Sequence, residues 1–170
     1  MRPTPANPTA WNTYLAEGNA TQARKRVAAD VILRHPDGRI LLVNPTYKPG
    51  WDLPGGMSEA NEAPDDTARR EIKEELGLDI IRLRLLVIDW VPPHGPWDDQ
   101  IAFIFDGGTL APDQAAAIHP HDEELSELRF TAPAHAVGTL PGRLSRRFAA
   151  ALQAGAEGMP RYLRDGAPLV

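Results

Sequence analysis

No cysteine occurs anywhere in the chain. That excludes a disulfide framework, a zinc site built on thiolates and a thiol nucleophile. Basic residues are also scarce: 18 Lys and Arg stand against 23 Asp and Glu, for a net charge of −5. A protein that holds nucleic acid by neutralising phosphates needs the opposite balance. No nucleic-acid partner is therefore expected, while a local basic pocket for one small anion is compatible with the total. Long apolar runs are missing as well. The chain opens on a polar segment rich in Pro, Ala, Thr and Asn, without a stretch of signal-peptide character. The most apolar segment, Ile80 to Val91, is interrupted by Arg82, Arg84 and Asp89, which makes it too short and too charged for a bilayer. The expectation is a cytoplasmic protein with no membrane partner.

What is present fits one folded domain. A chain of 170 residues buries roughly 70% of its unfolded surface and needs no staple. Hydrophobic residues at 42% and charged residues at 24% lie in the range of folded domains rather than disordered ones. Residues 1–24 read as a loosely held N-terminal arm. Pro3, Pro5 and Pro8 oppose helix at its start, and Trp11, Tyr14 and Leu15 are suited to pin a short turn. Residues 25–170 read as the domain proper. Val27 to Leu33 and Arg39 to Val43 have strand composition and flank the turn His35-Pro36-Asp37-Gly38, which predicts an antiparallel hairpin. Asn44 to Gly56 is loop-like. The strongest helix spans Asp65 to Leu76, with Pro64 at its first position and Gly77 at its stop. Further strands are predicted over Ile80–Val91, Ile101–Phe105 (ended by Asp106-Gly107-Gly108) and Leu125–Phe130. Leu144, Phe148 and Leu152 mark a helix over Arg143–Gln153 with a basic outer side of Arg143, Arg146 and Arg147. A terminal hairpin is predicted around Asp165-Gly166, and Thr109 to Pro120 has no assignment. The fold class is α/β of the α+β type, a mixed sheet rather than a doubly wound parallel one.

The informative segment lies between Gly55 and Leu78. On the predicted helix Glu71, Glu74 and Glu75 fall at i, i+3 and i+4, so all three project from one side. Ala68, Ile72 and Leu76 line the neighbouring side, which a sheet would cover. Like charges at i, i+4 cost a few tenths of a kcal/mol, roughly, when left alone. A hard divalent cation such as Mg²⁺ reverses that cost, because it takes oxygen ligands and pairs carboxylates with phosphates. The Gly55-Gly56 pair permits close backbone approach and offers a carbonyl or amides to such a group. An acidic run on a helix is otherwise just a solvated face, offset here by Lys73.

The run does not stand alone. Gly56, Glu62, Arg70, Glu71, Ile72, Glu74, Glu75, Gly77 and Leu78 occupy every defined position of a 23-residue pattern, and that pattern resembles the Nudix box. The lead-in Trp51-Asp52-Leu53-Pro54-Gly55 is similar too, and Asn61 stands where many members carry Gly. The resemblance implies a mixed β-sheet sandwiched between α-helices. It implies hydrolysis of a diphosphate linked to another moiety, dependent on Mg²⁺ or Mn²⁺ and with water as nucleophile. Carried over, Glu71, Glu74, Glu75 and the Gly55 carbonyl are metal ligands, Arg70 orients Glu62 or a neighbouring box carboxylate, and Glu62 sits near the metals. The catalytic base is Glu71 of the box or a residue of the later loop. In the late acidic cluster Glu124 ranks first, Glu123 second and Glu127 third.

The substrate pocket is less determined. Gly56, Tyr47 and Trp51 are candidate substrate contacts, and Trp90 and Trp97 are further aromatics able to stack on a base. Any single one of these aromatics is more readily read as core packing or simple surface exposure. His119 and His121 form a weak metal-binding pair. The expected substrate is a small nucleoside diphosphate derivative of the ADP-ribose, nucleotide-sugar or nucleoside-triphosphate type, and a homodimer is compatible with an open sheet edge. The competing function is a catalytically silent nucleotide-binding regulatory module, which the intact carboxylate set opposes. Removal of 5′ pyrophosphate from RNA is opposed by the acidic balance.

Overall fold

A computed structural model describes residues 2–169 of the chain. Its elements, in chain order, are α1 (Pro8–Thr21), β1 (Arg26–Arg34), β2 (Ile40–Pro45), β3 (Gly55–Met57), α2 (Pro64–Leu76), β4 (Arg84–Val91) and β5 (Gln100–Thr109). Then come α3 (Pro112–Ala117), β6 (Leu125–Thr131), α4 (Pro133–Thr139), α5 (Gly142–Glu157), β7 (Arg161–Arg164) and β8 (Ala167–Pro168). The strands form one mixed sheet in the order β6-β2-β1-β5-β4-β7-β8, with β3 added on β1. β1 pairs with β5 in parallel and β4 with β7 in parallel, while the other pairs are antiparallel.

Strand alternation divides the core between the two faces. Ala29, Val31 and Leu33 of β1 pack with Ala68, Ile72 and Leu76 of α2. Ile32 of the same strand faces the other way, with Val87, Ile104, Phe148, Ala151 and Leu163 under α5. A helix therefore covers each face, and α2 is held to the sheet by its i, i+4, i+8 stripe. Burying a side chain the size of Ile72 is worth about 1.5–3 kcal/mol. Gly77 ends α2 in the left-handed conformation at φ +67°, with its N–H bonded to the Lys73 carbonyl. The N–H of His121 then caps the Glu75 carbonyl at 2.8 Å.

The structure corrects several expectations. The arm holds a helix of 14 residues rather than a short turn, with Pro8 tolerated in its first turn and Asn7 accepting from the Ala10 N–H. The β1–β2 hairpin closes, but its strands splay: only Arg34 pairs with Ile40. Beyond that point β3 takes the edge of β1, through Ala28–Met57, Ala29–Gly56 and Asp30–Gly55, and β2 turns to β6. β4 starts at Arg84, not Ile80. β5 continues through Asp106-Gly107-Gly108 to Thr109, by way of a register shift opposite Ile32 and Leu33. Asp106 is paired there with Arg34 and Arg84. A Cβ on Gly107 would press on Val31 and Leu33 at 2.6 and 2.7 Å, so these glycines serve the strand instead of ending it. α3 fills the unassigned connection, and α4 is an additional helix. α5 runs beyond both predicted ends. Arg147 does not lie on its outer side but points into the core and is 7% exposed. The terminal hairpin forms, with Asp165 and Gly166 at φ +56° and +76°, as a two-residue turn between twisted strands requires.

Candidate active site

The splay between β1 and β2 is what builds the site. β3 lies against β1 for three residues, and α2 crosses directly over it. Asp30 and Gly55 face each other in a pair that exchanges no backbone hydrogen bonds. Those bonds run through Val31–Pro54 and Val27–Ser58 on either side. The Gly55 N–H is thereby free to donate to Glu75 Oε2 at 2.9 Å. Gly55 itself, at φ +141°, sits so close to β1 that a Cβ would overlap the Ala29 carbonyl oxygen and Asp30 Cα. Gly56 is needed for a different reason. The carboxylate of Glu71 occupies the place its Cβ would take, with Cδ at 2.5 Å and Oε2 at 2.7 Å. Gly56 therefore makes room for a box glutamate.

Arg70 organises the remaining carboxylates. Its Nε and Nη2 donate to the two oxygens of Glu62 at 2.8 and 3.0 Å. Its Nη1 donates to Glu71 at 2.9 Å and Glu74 at 3.0 Å, and Nη2 also reaches the Met57 carbonyl at 3.0 Å. Glu62 is further held by the Glu59 N–H and the Thr67 hydroxyl. The turn leading there places Asn61 at φ +64°, a conformation glycine adopts without strain.

Charge in this corner is poorly compensated. Burial pushes the Glu75 carboxyl up to about 8, against the Gly55 hydrogen bond and with help from Glu71, Asp122 and Asp30. Burial also raises Glu71, and Glu74 and Glu124 add to it. Asp30 is raised to about 7 by burial and then by Asp52. Glu62 is the opposite case: the Arg70 guanidinium holds it down at about 2. Hard carboxylate oxygens with excess negative charge in a partly desolvated corner are the donor set that Mg²⁺ or Mn²⁺ takes. The carboxylates are not drawn into a ready coordination shell, however. No group of three His, Asp or Glu side chains among the described residues is close enough to hold a metal, because Glu71 and Glu74 are engaged by Arg70 and Glu75 by Gly55.

The sequence candidates divide accordingly. Gly55, Gly56, Glu62, Arg70, Glu71, Glu74 and Glu75 come together. Glu124 joins them from the loop before β6, near enough to raise Glu71 and Tyr47. Glu124 is fixed by its N–H on Asp122 and by its carbonyl on the Thr46 N–H. Tyr47 is 64% exposed at the rim. Trp51 lies on the other face, packed on the core under α5, with the Arg129 guanidinium 4.2 Å over its ring. Trp90 is bonded through Nε1 to Asp99, and Trp97 lies under the Arg26 guanidinium, which also reaches Met57 Sδ at 4.0 Å. Glu127 is paired with Arg129. The His119 ring bonds the Ala117 carbonyl and the His121 ring lies on Gly77, so the two do not form a pair. Asp30, Asp52 and Arg147 escaped sequence reasoning. The available signal was a charged residue at an inward position of an apolar strand or stripe.

Comparison with known proteins agrees with this geometry. The chain is 32% identical over 112 residues, 64% of its length and 40% of the other protein, to an NAD-capped RNA hydrolase NudC of Vibrio atlanticus. Its matches span 26% to 40% of the length of the curated relatives. The NUDIX domain of Shewanella oneidensis NrtR, complexed with ADP ribose, superimposes with a TM-score of 0.66 at 17% identity, over 84% of this chain and 96% of that one. A UDP-X diphosphatase gives 0.65 at 18%, over 92% and 87%. At such identities the superpositions establish the fold alone. Membership rests on the sequence model of the NUDIX domain, which matches residues 24–152, from the strand that carries Asp30 to the helix that carries Arg147: the chain belongs to the Nudix family.

Proposed function

We propose that this chain is a divalent-cation-dependent pyrophosphohydrolase that cleaves the diphosphate bond of a nucleotide or nucleoside diphosphate derivative, with water as nucleophile. One observation carries the reading. Glu75 is buried and the Glu71 side chain is 15% exposed beside Gly55 and Gly56, with the single guanidinium of Arg70 shared among Glu62, Glu71 and Glu74. A corner so short of positive charge is suited to a cation, and the substrate phosphates would complete that cation's shell. Glu71, Glu74, Glu75 and the Gly55 carbonyl would hold the ion. Bound there, Mg²⁺ or Mn²⁺ supplies charge neutralisation at the diphosphate oxygens and a water of lowered pKa. The chain's own part is positioning and proton transfer. Arg70 fixes Glu62 and steadies Glu71 and Glu74. The Glu124 carboxylate, on its separately anchored loop, accepts the proton of the attacking water, with Glu71 as the alternative acceptor. Relatives described as acting on UDP-X or NAD-capped RNA, or as complexed with ADP ribose, share the diphosphate-bearing nucleotide that this reading requires.

The test is product analysis over dinucleotides, nucleotide sugars, ADP-ribose and nucleoside triphosphates, with Mg²⁺ and with Mn²⁺. Metal-dependent release of a nucleoside monophosphate supports the proposal. Tight binding of one compound without turnover of any would instead establish a silent nucleotide-binding module.

A further inference from the structure

Asp30 and Arg147 meet under α5, on the face of the sheet opposite the one α2 covers. Arg147 is almost wholly enclosed, with its side chain 8% exposed. Its Nε donates to Asp89 Oδ2 at 2.9 Å, and Asp89, itself fully buried, takes the Gly166 N–H on its other oxygen at 3.0 Å. Asp89 is thereby used up as an anchor that ties α5 and the terminal hairpin to β4. The outer fork of Arg147 is not used. Among the described residues neither Nη bonds any protein acceptor. Nη1 stands 3.8 Å from Asp30 Oδ2, beyond hydrogen-bond range. The Asp30 carboxylate, 14% exposed, likewise receives no hydrogen bond among the described residues. No fully enclosed side-chain nitrogen or oxygen is left without a partner there, so fork and carboxylate each keep some contact with solvent. Nearby, Asp52 is spent on the Leu53 N–H and on Lys48.

We infer that Arg147 and Asp30 form a base-recognition subsite selective for guanine. This rests on the nucleotide reading above and extends it to the base. Two unspent donors lie beside an unspent carboxylate. A ligand matches them when it presents adjacent acceptors and, on the neighbouring edge, adjacent N–H donors. Guanine does so: O6 and N7 suit an arginine fork, and N1–H and N2–H suit a carboxylate. Adenine offers its amino group where the fork requires an acceptor, and has no second donor for Asp30. Asp30 stands opposite Gly55 in the register of β1 and β3, which sets this pair next to the box loop along the sheet.

The test is calorimetric titration of the full chain with GMP and with AMP, without divalent cations, so that neither turnover nor metal binding enters. Wild type is expected to bind GMP at least about tenfold more tightly than AMP. Asp30→Asn is expected to reduce that ratio below about threefold while the melting temperature stays within a few degrees, since an amide has one acceptor oxygen. Arg147→Lys keeps the cation beside Asp89 and loses the fork, so GMP weakens more than AMP. If that variant fails to fold, Asp30→Asn decides alone. Equal affinities in wild type, no binding of either nucleotide at millimolar concentration, or a preference unchanged in Asp30→Asn would overturn the inference. The hydrolase reading fails separately, by absence of turnover across the substrate panel with metal.

Discussion

Glu75 and Gly55 are tied by a hydrogen bond of 2.9 Å, from the glycine N–H to one carboxylate oxygen. It fastens the carboxylate-bearing side of α2 to the strand that carries the glycine pair. It also leaves a buried carboxylate within electrostatic reach of Glu71, Asp122 and Asp30. Removing its charge separates catalysis from stability. In Glu75→Gln the amide oxygen still accepts from Gly55. Turnover is expected to fall by about 100-fold or more. The metal-free variant is expected to melt above metal-free wild type at pH 8, by about 2–4 °C for each kcal/mol of relieved desolvation. Glu74→Gln should lose activity similarly. Near-normal rates in both variants would remove these residues from the metal site.

The sign of the pH dependence follows from the same group. Burial pushes the Glu75 carboxyl up to about 8 in the fold, against 4.5 for an ordinary glutamate. The native state therefore keeps a proton that the unfolded state releases, and rising pH works against the fold. Below about pH 4.5 both states are protonated and wild type matches Glu75→Gln. From there to about pH 8 the variant is expected to gain on wild type. Thermal melts across this range, with EDTA, measure the difference. Adding Mg²⁺ should close the gap at pH 8 and have little effect at pH 5, because protons and cation compete for the same oxygens. A gap independent of pH would refute the assignment of a protonated Glu75.

Arg70 is the hub of Glu62, Glu71 and Glu74. Lysine keeps the charge but cannot make the two-point contact with Glu62 while reaching the others. Arg70→Lys is expected to lower kcat or Mg²⁺ affinity by about 10–100-fold. Measured side by side, Glu62→Gln should show a smaller loss. Reversal of that order would place Glu62, not Arg70, at the centre of the arrangement.

The two box glycines give contrasting variants. In Gly56→Ala the added carbon meets the tip of Glu71, a flexible group that can turn aside. Stability should drop by about 1 kcal/mol or less, yet activity should fall at least about tenfold, since the displaced carboxylate is one the site requires. In Gly55→Ala the carbon meets the β1 backbone at a φ of +141°, and the fold should lose about 1–3 kcal/mol from backbone strain alone. Paired melting and rate measurements distinguish the two.

Glu124 and Glu127 lie on the same segment but face different neighbours. Glu124 acts electrostatically on Glu71, whereas Glu127 is paired with Arg129. Glu124→Gln is expected to reduce kcat by about 100-fold or more, with Glu127→Gln within about threefold of wild type. The opposite ranking in steady-state assays would exclude Glu124 as the base.

The sequence by itself determined α2 and its stop at Gly77, the two apolar periodicities that place a helix on each face of the sheet, and the family, because all of these depend on residue type at short, fixed spacing. Tertiary structure alone decided the rest. Arg147 and Asp30 are 117 positions apart in the chain, and only the packing of α5 on the sheet brings a guanidinium to a strand carboxylate. The splay of β1 from β2 was invisible for the same reason: the edge of β1 is claimed by Gly55–Met57, a distant segment with no strand composition. The continuation of β5 through Asp106-Gly107-Gly108 depended on Arg34 and Arg84 and on the space beside Val31. Local propensity reads a chain along its length, whereas burial and charge pairing are set by what arrives from elsewhere.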